Sequence, residues 1–357
     1  YQPGSKYMEW AKTRASARFN LATSGIENYS IRDLPVSIDD IELTGASFYG
    51  YEPLQQALAA KFAVAQECVV AATGTSMANY LAMAAVLEPG DEVLIERPAY
   101  DPLLAVARYL RVNIQRFERS WQNNFRLDPY EIQRAITPRT RLIVMTNLHN
   151  PSGACTDIAT LREIGEIAQA NGIRVLIDEV YLEAMFEASP PSAFHLGTQF
   201  ITTNSLTKVY GLSGLRCGWI LAEPSLALRI WRLNDLFGVA PAHSAERLSV
   251  IALSHLDQIK ERARSLLQAN RPLLNQFLAS RDDLSVVIPD YGTVVFPRWQ
   301  GGNVDRLCGL LRDQYETTIV PGSFFEMPEH FRIGIGCNTE MLIGGLERLA
   351  AALDELA

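Results

Sequence analysis

The sequence predicts an α/β protein, in which a mostly parallel sheet is covered by helices on both faces and followed by a smaller α+β region. Three observations carry this. Short, continuously apolar runs alternate with amphipathic, helix-like runs through the middle of the chain. Polar and glycine-bearing clusters stand just after those apolar runs, where open α/β sheets bind their ligands. The last third changes character, with a long helical region, several short strands and a closing helix.

Taken in order, Val69–Ala72 is an apolar run ending in TGTS, and Ser76–Leu87 has helical periodicity up to the turn at residues 88–91. Glu92–Glu96 reads as a strand closed by Arg97-Pro98. Arg141–Thr146 is another, followed by the loop HNPSG. Thr156–Asn171 is an amphipathic helix stopped by Asn171-Gly172, and Ile173–Ile177 is a strand ending in Asp178-Glu179. Phe200–Thr203 and Trp219–Ala222 complete the sheet. Ala245–Ala279 is the long helical region. Leu284–Ile288, Thr293–Phe296, Thr318–Val320 and Phe331–Ile335 are short strands before the helix Met341–Leu356. The expected division is an N-terminal arm at 1–45 that packs partly on the small domain, a large domain at 46–244 and a small domain at 245–357.

The 357 residues suit two domains with sizeable cores. With 48% hydrophobic and 20% charged residues, disorder and a disulfide scaffold are excluded. The net charge of −8 and the lack of any Lys/Arg run argue against a nucleic-acid partner. The five scattered cysteines include no CxxC pair, which fits thiols in a reducing cytoplasm better than disulfides or structural zinc. No apolar run approaches the roughly 20 residues of a membrane span. The opening YQPGSKYMEW has neither the basic nor the apolar region of a signal peptide.

The most informative stretch is Thr203–Gly218, polar and glycine-rich, with one lysine between two apolar strands. An amine partly removed from water is more readily neutral and can attack a carbonyl. Ser205 and Arg216 flank Lys208 at spacings suited to an anion such as a phosphate. Within this stretch SLTKVYGLSGLRCGW resembles the S-x-[ST]-K-x-x-x-[LM]-x-G-x-R-x-G signature of class I and II aminotransferases. These are fold-type I enzymes dependent on pyridoxal phosphate (PLP). The resemblance runs from about Gly50 to the C-terminus.

The resemblance implies that Lys208 forms the Schiff base with PLP and acts as general base. It implies that Asp178, in an order matching D-E-x-Y, holds the protonated ring nitrogen, and that Asn150 and Tyr181 donate to the ring's phenolic oxygen. Gly74, Thr75 and Ser76 stand between a strand and a helix start, where backbone N–H groups bind anions, and with Ser205 and Arg216 would cradle the phosphate. Tyr100 falls at the stacking position. Arg332 matches the arginine that takes the substrate α-carboxylate in a bidentate fork, and Ser24 and Gly25 stand where backbone groups reach that carboxylate. Substrates would be an amino acid and a 2-oxo acid, in a homodimer whose site lies at the interface.

Two departures concern substrate choice. Aligning Gly50 with the family's dimer-contact glycine puts Gly45 where a tyrosine usually reaches the partner's phosphate, with Tyr49 or Tyr51 as substitutes by a shift. Asn20–Ile26 replaces the common L-x-x-G-x-P loop. The same core therefore leaves open elimination, cyclisation or oxidation of an amino acid, and the Ser-Gly-Ile-Glu-Asn-Tyr stretch resembles that of arginine-modifying enzymes such as capreomycidine synthase. A ligand-sensing regulator on this fold would need a fused DNA-binding domain. The five histidines show no metal-ligand spacing. His149 beside Asn150 could tune the ring and His243 could approach a partner's site, or both could be ordinary loop histidines.

Overall fold

The computed structural model describes residues 4–45 and 48–356, so the expected domain boundary at residue 46 lies outside the described residues. Helix α1 (Lys6–Thr13) and a two-residue strand β1 (Phe19–Asn20) open it. Helix α2 (Glu52–Phe62) precedes seven strands: β2 (Val69–Thr73), β3 (Glu92–Arg97), β4 (Asn113–Glu118), β5 (Thr140–Thr146), β6 (Arg174–Asp178), β7 (Phe200–Ser205) and β8 (Cys217–Leu221). They form one sheet in the order β2-β8-β7-β6-β5-β3-β4. Only β8 runs antiparallel, to both β2 and β7; the other pairings are parallel.

Strand periodicity divides the core between the two faces of this sheet. Val93, Ile95, Leu142, Val144, Leu176 and Ile201 pack with helices α3 (Gly74–Val86), α4 (Asp101–Tyr109) and α7 (Pro224–Asn234). Their neighbours Leu94, Ile143, Met145, Val175, Ile177 and Phe200 pack on α5 (Pro129–Ala135) and α6 (Ile158–Ala170). The strand β4 has no counterpart in the apolar-run reading, because Asn113–Glu118 is an edge strand with only Phe117 buried.

Helix α8 (His243–Ser254) and helix α9 (Leu256–Ala279) make up the long helical region expected over 245–279. The break has a local cause. Ser254 Oγ and His255 Nδ1 both approach the carbonyl of Ile251, at 2.8 and 3.0 Å, and the His255 N–H turns to Ala252 instead. The small-domain strands are shorter than the apolar runs: β9 (Leu284–Ser285), β10 (Val294–Val295), β11 (Arg298–Trp299), β12 (Thr317–Thr318), β13 (Val320–Pro321) and β14 (Phe331–Gly334). Pro297 separates β10 from β11, since proline donates nothing to a ladder. Helices α10 (Val304–Gln314) and α11 (Thr339–Leu356) cover them. The two cores meet along α9, with Ile259 in the large one and Ala263 in the small one.

The N-terminal segment joins both. Leu21 and Ile26 are buried in the small-domain core. Gly334 N–H donates to Leu21 O, Glu27 N–H to Gly336 O and Ile26 N–H to Lys208 O, each at 2.7 Å. A Cβ on Gly334 would lie 1.7 Å from Thr23 O, so only glycine admits this crossing. Among the described residues no helix is long and apolar enough to cross a membrane.

At the carboxyl edge of the sheet lies a fully buried ion pair, Arg119 Nε to Glu96 Oε2 at 2.7 Å. Glu96 Oε1 also accepts from the Thr146 N–H and hydroxyl, while Arg119 donates to Phe125 O, Thr146 O and Thr156 Oγ1. Burial pushes Glu96 up and Arg119 down, against their mutual attraction. Glu96→Gln leaves the guanidinium uncompensated and should cost about 3–5 kcal/mol in denaturant unfolding, whereas Glu96→Met with Arg119→Met should cost less than either single change. A double variant whose loss equals the sum of the two single losses would show that the pair is not coupled.

Glu179, at the end of β6, is buried, and its carboxyl accepts from Ser192 Oγ and Ala193 N–H. Burial pushes it to about 7 from 4.5. A carboxyl raised in the folded state contributes stability that is complete below its unfolded pKa and lost as pH climbs through the folded one. Wild type should therefore lose Tm relative to Glu179→Gln between about pH 5 and pH 8; a constant gap would refute this.

Candidate active site

The loop after β7 brings Lys208 into a cavity of about 320 Å³ at the carboxyl edge of the sheet. That lies within the roughly 300–1,000 Å³ of small-molecule sites. The strand ends deliver the other side chains: Asp178 from β6, Asn150 from the loop after β5, and Ser205 from β7. Thr75 and Ser76 come from the first turn of α3, Tyr100 from the start of α4, Tyr181 from the turn after Asp178, and Arg216 from the residue before β8. Ser24 reaches the cavity from the N-terminal crossing.

Lys208 Nζ donates to Ser24 Oγ at 3.0 Å, and Tyr181 OH donates to the same oxygen at 2.7 Å. Thr293 Oγ1 holds the Ser24 carbonyl at 2.7 Å. Asp178 accepts from Asn79 Nδ2 at 2.8 Å and from Val180 N–H at 3.0 Å. Asn79 is fixed in turn by Thr203 Oγ1 at 2.6 Å. Burial pushes the Asp178 carboxyl from 3.8 to about 6, opposed by those two hydrogen bonds and by the Lys208 charge. A cationic N–H placed against it would reverse that penalty.

At the other end, α3 begins at Gly74, two residues before the expected start, and Thr73 gives it no side-chain cap. The N–H groups of its first turn are thus available to an anion. Thr75 Oγ1 and Thr207 Oγ1 are buried in this wall with no hydrogen-bond partner. Arg216 adds positive charge, tethered by Nη2 to Thr73 O at 3.3 Å. Two orphaned hydroxyls, a helix N-terminus and a guanidinium fit a phosphate. A buried carboxylate at the opposite end and an amine between them fit the rest of PLP.

Three expected residues are not in the wall. Gly74 lies behind it, and a Cβ there would stand 2.3 Å from Arg216 Nη2, so its role is to make room for that guanidinium. Gly25 packs on the Lys208 backbone, 3.3 Å from its carbonyl oxygen to a built Cβ. Arg332 is the larger correction. It is fully buried, and its fork is already engaged: Nη1 with Asn150 Oδ1 at 2.8 Å, Nη2 with Tyr7 OH and Ala22 O at 3.0 Å. Its partners Asn150, Tyr7 and Ala22 all line the cavity, so the guanidinium lies directly behind that wall.

His149 is also outside the wall. Its ring contacts Ser152 Oγ and Pro98 O at 2.6 and 3.0 Å, and burial holds it well below the ordinary histidine range. Gly45 faces His243, whose Cγ would lie 2.5 Å from a Cβ, so a tyrosine there would collide. Tyr51 packs edge-on against His243 and Tyr49 OH donates to Asp235, and neither lines the cavity. Sequence reasoning missed Asn79, Thr207 and Tyr7. Asn79 follows Ser76 by three residues and so shares its helix face, a signal that could have found it. Thr207 stands inside the lysine motif. Tyr7 gave no signal, lying 325 residues from Arg332.

A model of the family described as aminotransferase class I and II matches residues 43–349. A capreomycidine synthase from Streptomyces vinaceus is 30% identical, covering 98% of this chain and 94% of its own. An arginine–pyruvate transaminase from Pseudomonas aeruginosa is 30% identical, covering 82% of this chain and 77% of its own. The crystal structure of a PLP-dependent aminotransferase from Streptococcus suis superposes with a TM-score of 0.93 at 26% identity, over 100% of this chain and 99% of that one. The chain belongs to the class I and II aminotransferases, a PLP-dependent family of fold type I.

Proposed function

We propose that this protein is an aminotransferase that moves the α-amino group of an L-amino acid to a 2-oxo acid. The observation that carries this reading is Lys208 Nζ, set in one cavity between a buried carboxylate and an anion cradle. Thr75, Ser76, Thr207, Ser205 and Arg216 form the phosphate end, with Gly74 behind them making room for the guanidinium, and Asp178 forms the ring-nitrogen end. Tyr100 stands as the flat neighbour, while Asn150 and Tyr181 are the donors for the phenolic oxygen. When bound, PLP supplies an electron sink for the pair released from the substrate's α-carbon.

The chain's own groups supply the proton chemistry. Lys208 Nζ takes the α-proton and later returns a proton, and Ser24 Oγ at 3.0 Å holds that amine in place. Tyr181 shares Ser24, so the amine and the phenol are positioned by one hydroxyl. Asp178, steered by Asn79, holds the proton on a positively charged nitrogen. The apolar wall from α1 limits water at the reacting carbon.

A specific observation keeps a second outcome in view. The match to capreomycidine synthase takes in 98% of this chain, against 82% for the transaminase. Cyclisation or elimination would use the same Lys208 and Asp178. We further propose a homodimer, supported by the exposed apolar side chains Ile38, Leu43, Phe48, Leu236 and Phe237, with Tyr49 OH on Asp235 at 3.1 Å joining the segment of Phe48 to that of Leu236.

An absorbance scan of the PLP-loaded protein against a panel of L-amino acids, arginine included, tests the reaction. Transamination bleaches the visible band, releases a 2-oxo acid, and lets an added 2-oxo acid restore the band. Ammonia or a ring-closed product formed while the visible band is retained would overturn it in favour of the second outcome. Lys208→Ala should abolish the visible band and lower turnover by at least about 10²–10⁴-fold. Asn79→Ala should lower stability by about 1–3 kcal/mol by leaving buried partners unpaired, and should weaken PLP retention on dialysis; unchanged retention would show that Asp178 needs no such support. Leu43→Asp with Phe237→Asp should shift sedimentation from dimer to monomer.

A further inference from the structure

The cofactor reading leaves one part of the cavity without a role. Among the described residues, the charged groups of its wall are Asp178, Lys208 and Arg216, all at the cofactor end. A further stretch of wall comes from α1 and the segment after it: Met8, Trp10, Ala11, Ala15 and Asn20. Met8 and Trp10 are held in place. Tyr100 OH donates to Met8 Sδ at 3.6 Å, and the Trp10 ring packs on Phe324 with centroids 5.4 Å apart. Ala11 and Ala15 add only methyl groups. The stretch is thus an apolar surface to which Asn20 brings an amide.

The orientation of that amide follows from its neighbours. Ala22 N–H donates to Asn20 Oδ1 at 3.0 Å, and a backbone N–H can be met only by the amide oxygen. Thr318 Oγ1, which donates to Ala15 O at 2.9 Å, reaches the same Asn20 oxygen at 3.3 Å. The backbone is fixed as well, because Asn20 pairs with Thr318 in the register of β1 and β12. Among the described residues no hydrogen bond uses the two N–H groups of Nδ2, so with its oxygen occupied Asn20 offers a ligand two donors. Its place along the chain says which part of a ligand it meets. Asn20, Ala22 and Ser24 line the cavity at alternate positions, Ser24 touching Lys208 Nζ and Ala22 touching Arg332. Two such alternations of extended chain span about 13 Å, so Asn20 stands at the far end from the reacting amine.

We propose that Asn20 is a specificity-determining residue: its amide N–H groups donate to a carbonyl oxygen at the end of a long, uncharged amino-acid side chain whose methylenes run along Met8 and Trp10. A cationic end of the same length would set donor against donor, and would carry its charge to an apolar surface with no carboxylate beside it among the described lining residues. The site therefore selects against the cation as well as for the carbonyl. This rests on the reading of the cavity as an amino-acid site.

The test compares L-citrulline with L-arginine on the PLP-loaded protein, since the two match in length and differ in a ureido oxygen against a guanidinium nitrogen. The readout is the half-saturating concentration for the change in the visible band. The expected value is at least about 10-fold lower for citrulline than for arginine. Asn20→Asp keeps the oxygen that meets Ala22 N–H and puts an acceptor in place of Nδ2, so it should invert the preference, with Tm and PLP retention as in wild type. Asn20→Ser keeps an oxygen for Ala22 N–H and lacks the amide donors, so it should bring the two values together. Should Asn20→Asp lose Tm, Asn20→Ser decides. A wild type that favours arginine, or that answers only to short amino acids, would overturn the proposal. So would a variant that keeps its Tm and discriminates as wild type does. If the wild-type protein responds to no amino acid, the functional reading fails and this one falls with it, a result separate from a responsive wild type with indifferent variants.

Discussion

The Glu96–Arg119 pair fixes the edge of the sheet on which the site is built. Both groups are fully buried, so water neither screens nor replaces their contacts. From that pair a line of polar contacts runs outward. Thr146 donates its hydroxyl to Glu96 and accepts the N–H of Asn150; Asn150 accepts from Arg332; Arg332 donates to Tyr7 and Ala22. The sheet interior is thereby joined to the N-terminal helix through five side chains. Each link is buried, so moving one leaves its neighbour unpaired, and the arrangement is held as a unit.

A second, shorter network does for Asp178 what the first does for Asn150. Thr203 and Asn79 orient the carboxylate from the neighbouring strand and from α3. Burial alone would favour its neutral form, so the hydrogen bonds and the nearby Lys208 are what make an ionised Asp178 attainable. The protein thus places a reluctant carboxylate opposite a generous anion cradle. An elongated ligand with a cationic nitrogen at one end and a phosphate at the other satisfies both.

Much of this was legible in the sequence because strand periodicity and local motifs are short-range. Val93 to Ile95 and Leu142 to Met145 announce strands buried on both faces by their continuous apolar runs, and Ser205, Lys208 and Arg216 lie within twelve residues of one another. The edge strand Asn113–Glu118 was not legible, since half its residues face solvent. Nor were Glu96 and Arg119, which read as ordinary charged residues until their burial is seen. Arg332 was legible as an arginine for a carboxylate, but the phenol in front of it was not. That contact joins the two ends of the chain, and no local pattern encodes it.

The crossing of residues 21–27 between Lys208 and the glycines of the last strand constrains how the molecule is made. Leu21, Glu27 and Ile26 find their backbone partners at Gly334, Gly336 and Lys208. During synthesis the first of these segments emerges some three hundred residues before its last partner, at about 5–20 residues per second. Ser24 meets Lys208 across 184 residues of chain, while the segment around it finds its last backbone partner, Gly336, only when nearly the whole chain has left the ribosome. The large sheet can form earlier, from contacts nearer in sequence. A chain lacking β14 would leave the carbonyl of Leu21 without the Gly334 N–H that holds this crossing in place.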